Sequence, residues 1–315
     1  MNRRRFLGMT AAGGLAAAGL ALAGASRGQA AAIAGVPALR IVEPLGRPSV
    51  IWTTSTALRP ALGRVLQCAV EVETVLGDDS YNALHAALKE TAGEVRLWGG
   101  AIMATQYVGT IGNRDVRLEQ LTPVARLSDG FSVCLFAKRG GGLAGWSDVK
   151  AAAPLAVSCL ERATAAYVAK LMLERKGGVA IRETLRKTIG EVIADVVEGR
   201  SAAGIVPTNL VARQHDALAA LVTFGAKRNA FVHATPTFAE LSGNPKLAFT
   251  ESVGVLGAPG LATAAALSSA FLQAANDPEV EEDAESQDFP LVVSGGDVLR
   301  QTMERNQRLL ARLLS

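Results

Sequence analysis

Residues 222–260 read VTFGAKRNAFVHATPTFAELSGNPKLAFTESVGVLGAPG. Two apolar runs, Leu218–Phe224 and Val253–Leu256, flank a turn-rich middle. The first run is short and closed by Gly225, which predicts a buried strand. A basic knot follows, Ala226-Lys227-Arg228, and then Thr235-Pro236-Thr237-Phe238-Ala239-Glu240-Leu241. Thr235 is placed to cap a short helix with proline first and Glu240 in its early turns. The second run stops at Gly257-Ala258-Pro259-Gly260, where a strand cannot continue. One strand therefore leaves a layer, a short helix crosses over, and another strand enters a layer.

Upstream, the pattern is β-α-β-α-β. Strands are expected at Ala38–Pro44, Val70–Val75 and Glu94–Trp98, the last ending at Gly99-Gly100. Helices are expected at Thr54–Gln67, with Pro60 in its first turn, and at Tyr81–Lys89 behind the turn Gly77-Asp78-Asp79-Ser80. That order favours parallel pairing in a doubly wound α/β sheet. Leu121–Leu127 and Ser132–Ala137 read as strands divided by a loop at Ser128-Asp129-Gly130. Lys138-Arg139-Gly140-Gly141-Gly142 reads as a boundary. Beyond it come helices Trp146–Ala152, Thr164–Lys176, Glu191–Glu198 and Asn209–Gln214, with strands at Leu155–Val157 and Ala203–Val206. The C-terminal part reads as helices Leu261–Ala275 and Pro278–Gln287, a short strand Leu291–Val293, and an amphipathic helix Val298–Leu314.

The first 30 residues belong to export rather than to the fold. Asn2-Arg3-Arg4-Arg5-Phe6-Leu7-Gly8 is a twin-arginine pattern, followed by a weakly hydrophobic Ala/Gly/Leu run from Met9 to Ala25. Small residues offer cleavage after Ala25 or Ala30. The run is too short and too weak for a membrane span, and no later segment is long and apolar enough, so a soluble mature protein is expected. The segment holds four of the chain's 32 basic residues and none of its 29 acidic ones, leaving 28 against 29. The basicity belongs to the signal, and nothing argues for nucleic acid or an anionic membrane surface. Cys68, Cys134 and Cys159 are odd in number and far apart, which argues against a disulfide framework; Cys134, inside an apolar run, is expected as a buried free thiol, and a single bridge stays open. His85, His215 and His233 show no metal spacing, so no metal or other cofactor is expected.

With these segments in order, the chain resembles the periplasmic receptors of tripartite tricarboxylate transporters, the Bug-type solute-binding proteins. Arg40-Ile41-Val42-Glu43-Pro44 resembles the family's first strand and Pro-containing ligand loop. Leu121-Thr122-Pro123-Val124-Ala125-Arg126-Leu127 resembles its FTPVALL strand. Ala226-Lys227-Arg228 with Pro236-Thr237-Phe238-Ala239-Glu240 resembles AKR…PTxAE, and Gly254–Gly260 resembles GLLAPAG. Asp277-Pro278-Glu279-Val280 resembles DPEV. The resemblance implies an α/β, type II periplasmic-binding-protein fold in which two domains enclose a cleft. It puts domain one at 36–137 plus 249–315 and domain two at 138–248, with hinge crossings near Ala137–Gly140 and Leu247–Ser252. It implies a periplasmic, monomeric, non-enzymatic receptor that captures a small organic acid for a membrane permease.

The ligand residues that the resemblance implies are Leu45, Gly46 and Arg47 in the first loop, and Gly99 and Gly100 after the third strand. Ser128 and Asp129 follow, then Ser158, Cys159, Arg162 and Thr164 in a domain-two loop, and Lys187. Here the chain departs from the family. The paired glycines of the first loop are replaced around Glu43-Pro44-Leu45-Gly46-Arg47, and the Gly/Ser-rich second loop has become Val157-Ser158-Cys159-Leu160-Glu161-Arg162. That departure supports an alternative: a binding module of the same fold that has lost small-molecule capture and acts through protein partners. An enzyme would need Cys159 activated by Arg162 and a base, and no histidine is near in sequence.

Overall fold

The computed structural model describes residues 36–112, 114–286 and 291–314. The export pattern at Arg3-Arg4-Arg5 and its cleavage sites lie outside the described residues. The strands, in chain order, are β1 (Ala38–Glu43), β2 (Ala69–Thr74), β3 (Val95–Ala101), β4 (Thr122–Phe131), β5 (Val133–Lys138), β6 (Leu155–Leu160), β7 (Ile181–Arg186), β8 (Ala203–Pro207), β9 (Leu218–Thr223), β10 (Glu251–Gly257) and β11 (Ser294–Gly295). The helices are α1 (Val50–Leu66), α2 (Tyr81–Leu88), α3 (Ile102–Ile111), α4 (Trp146–Ala151), α5 (Ala165–Arg175), α6 (Ile189–Val197), α7 (Thr208–Ala212), α8 (Phe238–Ser242), α9 (Ala264–Ala274), α10 (Pro278–Ser286) and α11 (Gly296–Leu314).

The strands form two mixed sheets. One has six strands in the order β11-β4-β10-β3-β1-β2, the other five in the order β7-β6-β8-β5-β9. In the first, β1 runs parallel to both β2 and β3, as the β-α-β-α-β order predicts. β10 is antiparallel to β3 and β4, so a late segment is inserted between early ones. In the second, β6 is parallel to β7 and β8, while β5 is antiparallel to β8 and β9. The two runs of the 222–260 region do enter different layers: β9 edges the five-stranded sheet and β10 sits within the six-stranded one.

Several local expectations change. β4 continues through Ser128-Asp129-Gly130 to Phe131 instead of ending in a loop there. Asp129 holds it against β10 by accepting from the Ser252 hydroxyl at 2.9 Å. Because β5 pairs wholly within the five-stranded sheet, the chain passes between sheets at Ser132, ahead of the passage expected near Ala137–Gly140. α1 starts at Val50, capped by Ser49, whose hydroxyl accepts from the Trp52 amide at 3.1 Å. Pro60 therefore lies in mid-helix, where its missing N–H is a cost. Buried Val50, Ile51, Leu58, Leu62 and Leu66 offset that cost by packing. The cap of α8 is Thr237 rather than Thr235: its hydroxyl accepts from the Glu240 amide at 3.0 Å, and Glu240 accepts from the Thr237 amide at 2.9 Å, a capping box. The expected strand at Leu291–Val293 is shifted to Ser294–Gly295.

α3 has no counterpart in the sequence pattern, and the reason is burial. Every residue from Ile102 to Gly109 is buried, Thr105 and Gln106 included, so the helix has no solvent face to set a period. β7, Ile181-Arg-Glu-Thr-Leu-Arg186, escaped for the opposite reason: it is an edge strand with mostly polar, half-exposed residues. In the 222–260 region Phe224 packs on Phe238 with ring centroids 5.7 Å apart, and on Phe249 at 6.0 Å. Trp146 meets Phe238 edge-on at 6.0 Å.

Candidate functional site

A cavity lies where the ends of both sheets meet. β1 ends just before Leu45, β6 ends at Leu160 and β8 at Pro207, and all three of these residues line it. Ligand sites of open α/β sheets form at such carboxyl ends of strands. Helix starts converge on the same space: Ser49, Val50 and Ile51 of α1, Ala101 before α3, Thr164, Ala165 and Ala166 of α5, and Ile189 of α6. The rest of the wall is apolar, including Phe131, Val133 and Val253. The cavity volume is about 40 Å³, room for about one water molecule.

Helix starts carry amides without intrahelical acceptors and the positive end of the dipole. The chain supplies its own acceptors to the first turn of α3 and to the loop amides ahead of α1 and α6. Glu251, fully buried at the start of β10, accepts from the amides of Met103 at 2.9 Å and Ala104 at 3.1 Å in the first turn of α3. It also accepts from Ser252 at 2.9 Å, and burial pushes its carboxyl up to about 7. Glu43, also fully buried, accepts from the amides of Leu45 at 2.9 Å and Gly46 at 3.0 Å and from the Thr74 hydroxyl. Burial raises its pKa too, against the pull of those donors. The turn needs Gly46, whose φ is +63°. At α6, Glu191 accepts from the amides of Lys187 at 3.1 Å and Thr188 at 2.9 Å, which precede the helix and leave the amides of Ile189 and Gly190 unclaimed by it.

Three helix starts, α1, α5 and α6, keep first-turn amides without such a carboxylate. Ser49 and Thr164 cap only the third residue beyond them, Trp52 and Tyr167. The first two residues of α1, Val50 and Ile51, and of α5, Ala165 and Ala166, line the cavity and have no acceptor within their own helices. α1 packs with the six-stranded sheet and α5 with the five-stranded sheet.

Of the residues expected at the site, Leu45 and Thr164 line the cavity. Gly46 sits in the turn closed by Glu43, and the exposed Arg47 guanidinium stacks 4.0 Å from the Trp52 ring centre. Gly99 and Gly100 are buried in β3. A Cβ there would meet Ile51 Cδ1 at 2.9 Å and Trp98 Cζ2 at 2.3 Å, so these glycines serve close packing. Ser128 and Asp129 are strand residues, with Asp129 bound to Arg126 at 2.8 Å. Ser158 donates to Asp195 at 2.8 Å, and Asp195 also accepts from Arg186 and Arg200, both at 2.7 Å. Those bonds, with Arg186 first, hold the Asp195 carboxyl well below the usual range. Cys159 is buried and its thiol is pushed up to about 12 by desolvation, while Arg162 pairs with Asp79 at 3.4 Å. That leaves no activated thiol at the position an enzyme would need. Lys187 is exposed beside the α6 cap. Sequence reading missed the helix start at Ser49–Ile51, although Ser49 ahead of an apolar run is a readable cap signal, whereas the start of α5 at Thr164 was expected. It also missed Glu251. Among the described residues no cluster of His, Cys, Asp or Glu is fit to hold a metal ion, and no helix is long and apolar enough to cross a membrane.

No protein-family model matches the chain, and no curated protein matches it in sequence. Solved structures do. MatC from Rhodopseudomonas palustris, with bound malate, superposes with a TM-score of 0.77 at 19% identity, covering 88% of this chain and 99% of that one. The periplasmic binding protein BugD gives 0.76 at 15% identity, over 88% and 96%. The fold is that of the TctC/Bug-type periplasmic binding proteins. A TctC solute-binding protein from Polaromonas gives 0.64 at 15% identity, over 88% and 97%. An R. palustris protein solved with adipate gives 0.72 at 16% identity, over 87% and 96%. In this periplasmic-binding-protein fold, the cavity between the sheets and the starts of α1 and α5 around it are the candidate ligand site.

Proposed function

We propose that the chain is an exported, monomeric solute receptor that captures a small organic acid between two lobes, one built on each sheet, and delivers it to a membrane permease. It works in the periplasm, reached by the twin-arginine route, and performs no chemistry on its ligand. The observation that carries this reading is the convergence of the helix starts of α1 and α5, whose first residues line one cavity. The neighbours solved with malate and adipate support the ligand class. A cavity of about 40 Å³ does not hold a dicarboxylate, so capture requires the lobes to part about the two passages between the sheets.

Glu43 and Glu251 favour a second reading. They occupy the amides of the first loop and of α3 with the chain's own carboxylates, leaving a largely apolar cleft. On that reading the fold has lost small-molecule capture and acts through protein partners. Calorimetric titration of the mature protein with succinate, malate and adipate separates the two. Saturable binding supports the receptor, whereas no heat and no thermal stabilisation by any of the three supports the second reading.

A further inference from the structure

A larger groove lies away from that cavity. It runs between α11 and the segment 245–250 that leads into β10, beside Asp129 and Gly130 of β4, and its volume is about 460 Å³. That falls within the usual small-molecule range of about 300–1,000 Å³.

Its charge is one-sided. Arg305, Arg308 and Arg312 follow one another on one face of α11, and Lys246 faces them from the other wall. The groove's one acid, Asp129, is already engaged by Arg126 at 2.8 Å and by the Ser252 hydroxyl at 2.9 Å. Arg305 stands 3.9 Å from it. Lys246 and Arg308 are exposed, and their charged ends make no hydrogen bond or ion pair with a described residue.

A second, independent feature points to a ligand. Asn306 also lines the groove, is only 4% exposed, and its Nδ2 has no hydrogen-bond partner among the described residues. A buried amide donor left unpaired costs about 1–3 kcal/mol, and native proteins rarely leave one without a use. An unpaired N–H donor in a wall that also carries arginines suits an oxyanion: guanidinium forks take two oxygens side by side, and the amide has a bond to offer another.

We propose that this groove is a second binding site, specific for a small oxyanion carrying two or more negative charges, of phosphate or polycarboxylate type. It is separate from the cavity between the sheets and does not depend on what that cavity holds. Both passages of the chain between the sheets run close by, at Gly130–Ser132 and at Ala248–Glu251, so occupancy bears on the lobes' freedom to part.

The test is calorimetric titration of the mature protein with pyrophosphate, citrate and acetate at constant ionic strength. Saturable binding of pyrophosphate or citrate, but not of acetate, is expected, and which of the two binds tells phosphate from carboxylate chemistry. The double variant Lys246→Ala/Arg308→Ala changes only exposed side chains and is expected to weaken binding roughly tenfold or more, since hydrogen bonds to charged groups are the strong ones. Asn306→Leu is expected to weaken it as well. Ala165→Asp, in the other cavity, is expected to leave it unchanged. Absence of saturable binding, equal binding of acetate, or binding unaffected by the double variant would overturn the proposal. So would binding that Ala165→Asp abolishes, since that places the anion between the sheets.

Discussion

The carboxylate of Glu251 accepts a hydrogen bond from the amide of Met103, 148 positions earlier in the chain. Through it the first strand after the long passage between sheets caps a helix of the N-terminal half. Because the group is fully buried, the bond is made by a carboxyl that holds its proton up to about pH 7. A carboxyl whose folded pKa is raised binds its proton more tightly folded than unfolded. Its contribution is therefore complete below about pH 4.5 and is lost as pH rises through about 7. Denaturant unfolding followed from pH 5 to 8 is expected to show stability falling by up to roughly 3 kcal/mol from this group. Glu251→Gln is expected to flatten that slope; an unchanged slope would assign the pH dependence elsewhere.

Glu43 offers a test of the occupied first loop. Glu43→Ala leaves the amides of Leu45 and Gly46 and the Thr74 hydroxyl without their acceptor. A loss of about 2–3 kcal/mol in unfolding free energy is expected. In return those donors become available to a ligand, and thermal stabilisation by malate is expected to exceed that of the parent protein. Equal stabilisation would mean that the loop does not reach the ligand.

At α5 the opposite change is informative. Ala165 is the first residue of the helix and lines the cavity. An acid there is compatible with a helix N-terminus but places a negative charge where a ligand carboxylate is proposed. Ala165→Asp is expected to abolish carboxylate binding in calorimetry. Its circular dichroism spectrum should match the parent's.

The aromatic cluster of residues 222–260 sets the strength of the passage between layers. Phe238 is fully buried between Phe224 and Trp146. Phe238→Ala is expected to cost about 3–5 kcal/mol in chemical denaturation, as other buried phenylalanines do.

The cysteines yield a chemical check. Cys134 and Cys159 are buried with thiols pushed up to about 12, whereas Cys68 is partly exposed and more weakly raised by desolvation. Alkylation of the native protein at pH 8 followed by mass spectrometry is expected to modify Cys68 slowly and the other two only on unfolding. Rapid labelling of Cys159 would revive a nucleophilic role.

The elements that showed in the sequence were those with a solvent face or a local punctuation. β1 to β3 with α2 between them, and the amphipathic α11, carry periodicity that burial on one side imposes. The 222–260 region was legible because Gly225 and Gly257–Gly260 bracket it, although the Thr237-to-Glu240 capping box decides the helix start over Thr235. α3 gave no signal because it is buried nearly all round, so its polar residues Thr105 and Gln106 do not mark a solvent face. The candidate site was harder still. Whether an amide is free depends on which distant carboxylate reaches it, and Glu43 and Glu251 look like ordinary charged residues until the sheets are assembled. The glycines Gly99 and Gly100 suggested ligand approach, yet the space above them is filled by Ile51 and Trp98.

The two connections between the sheets are very unequal. Between β4 and β5 stands the single residue Ser132, whose carbonyl accepts from the Thr208 amide at 3.0 Å and whose hydroxyl accepts from Asn229 at 2.9 Å. The other connection, from β9 to β10, carries α8 and two short turns. A one-residue tether permits rotation but almost no translation at that point. Any parting of the sheets is therefore a swing pivoted near Ser132, with the long connection supplying slack, and displacement grows with distance from that pivot.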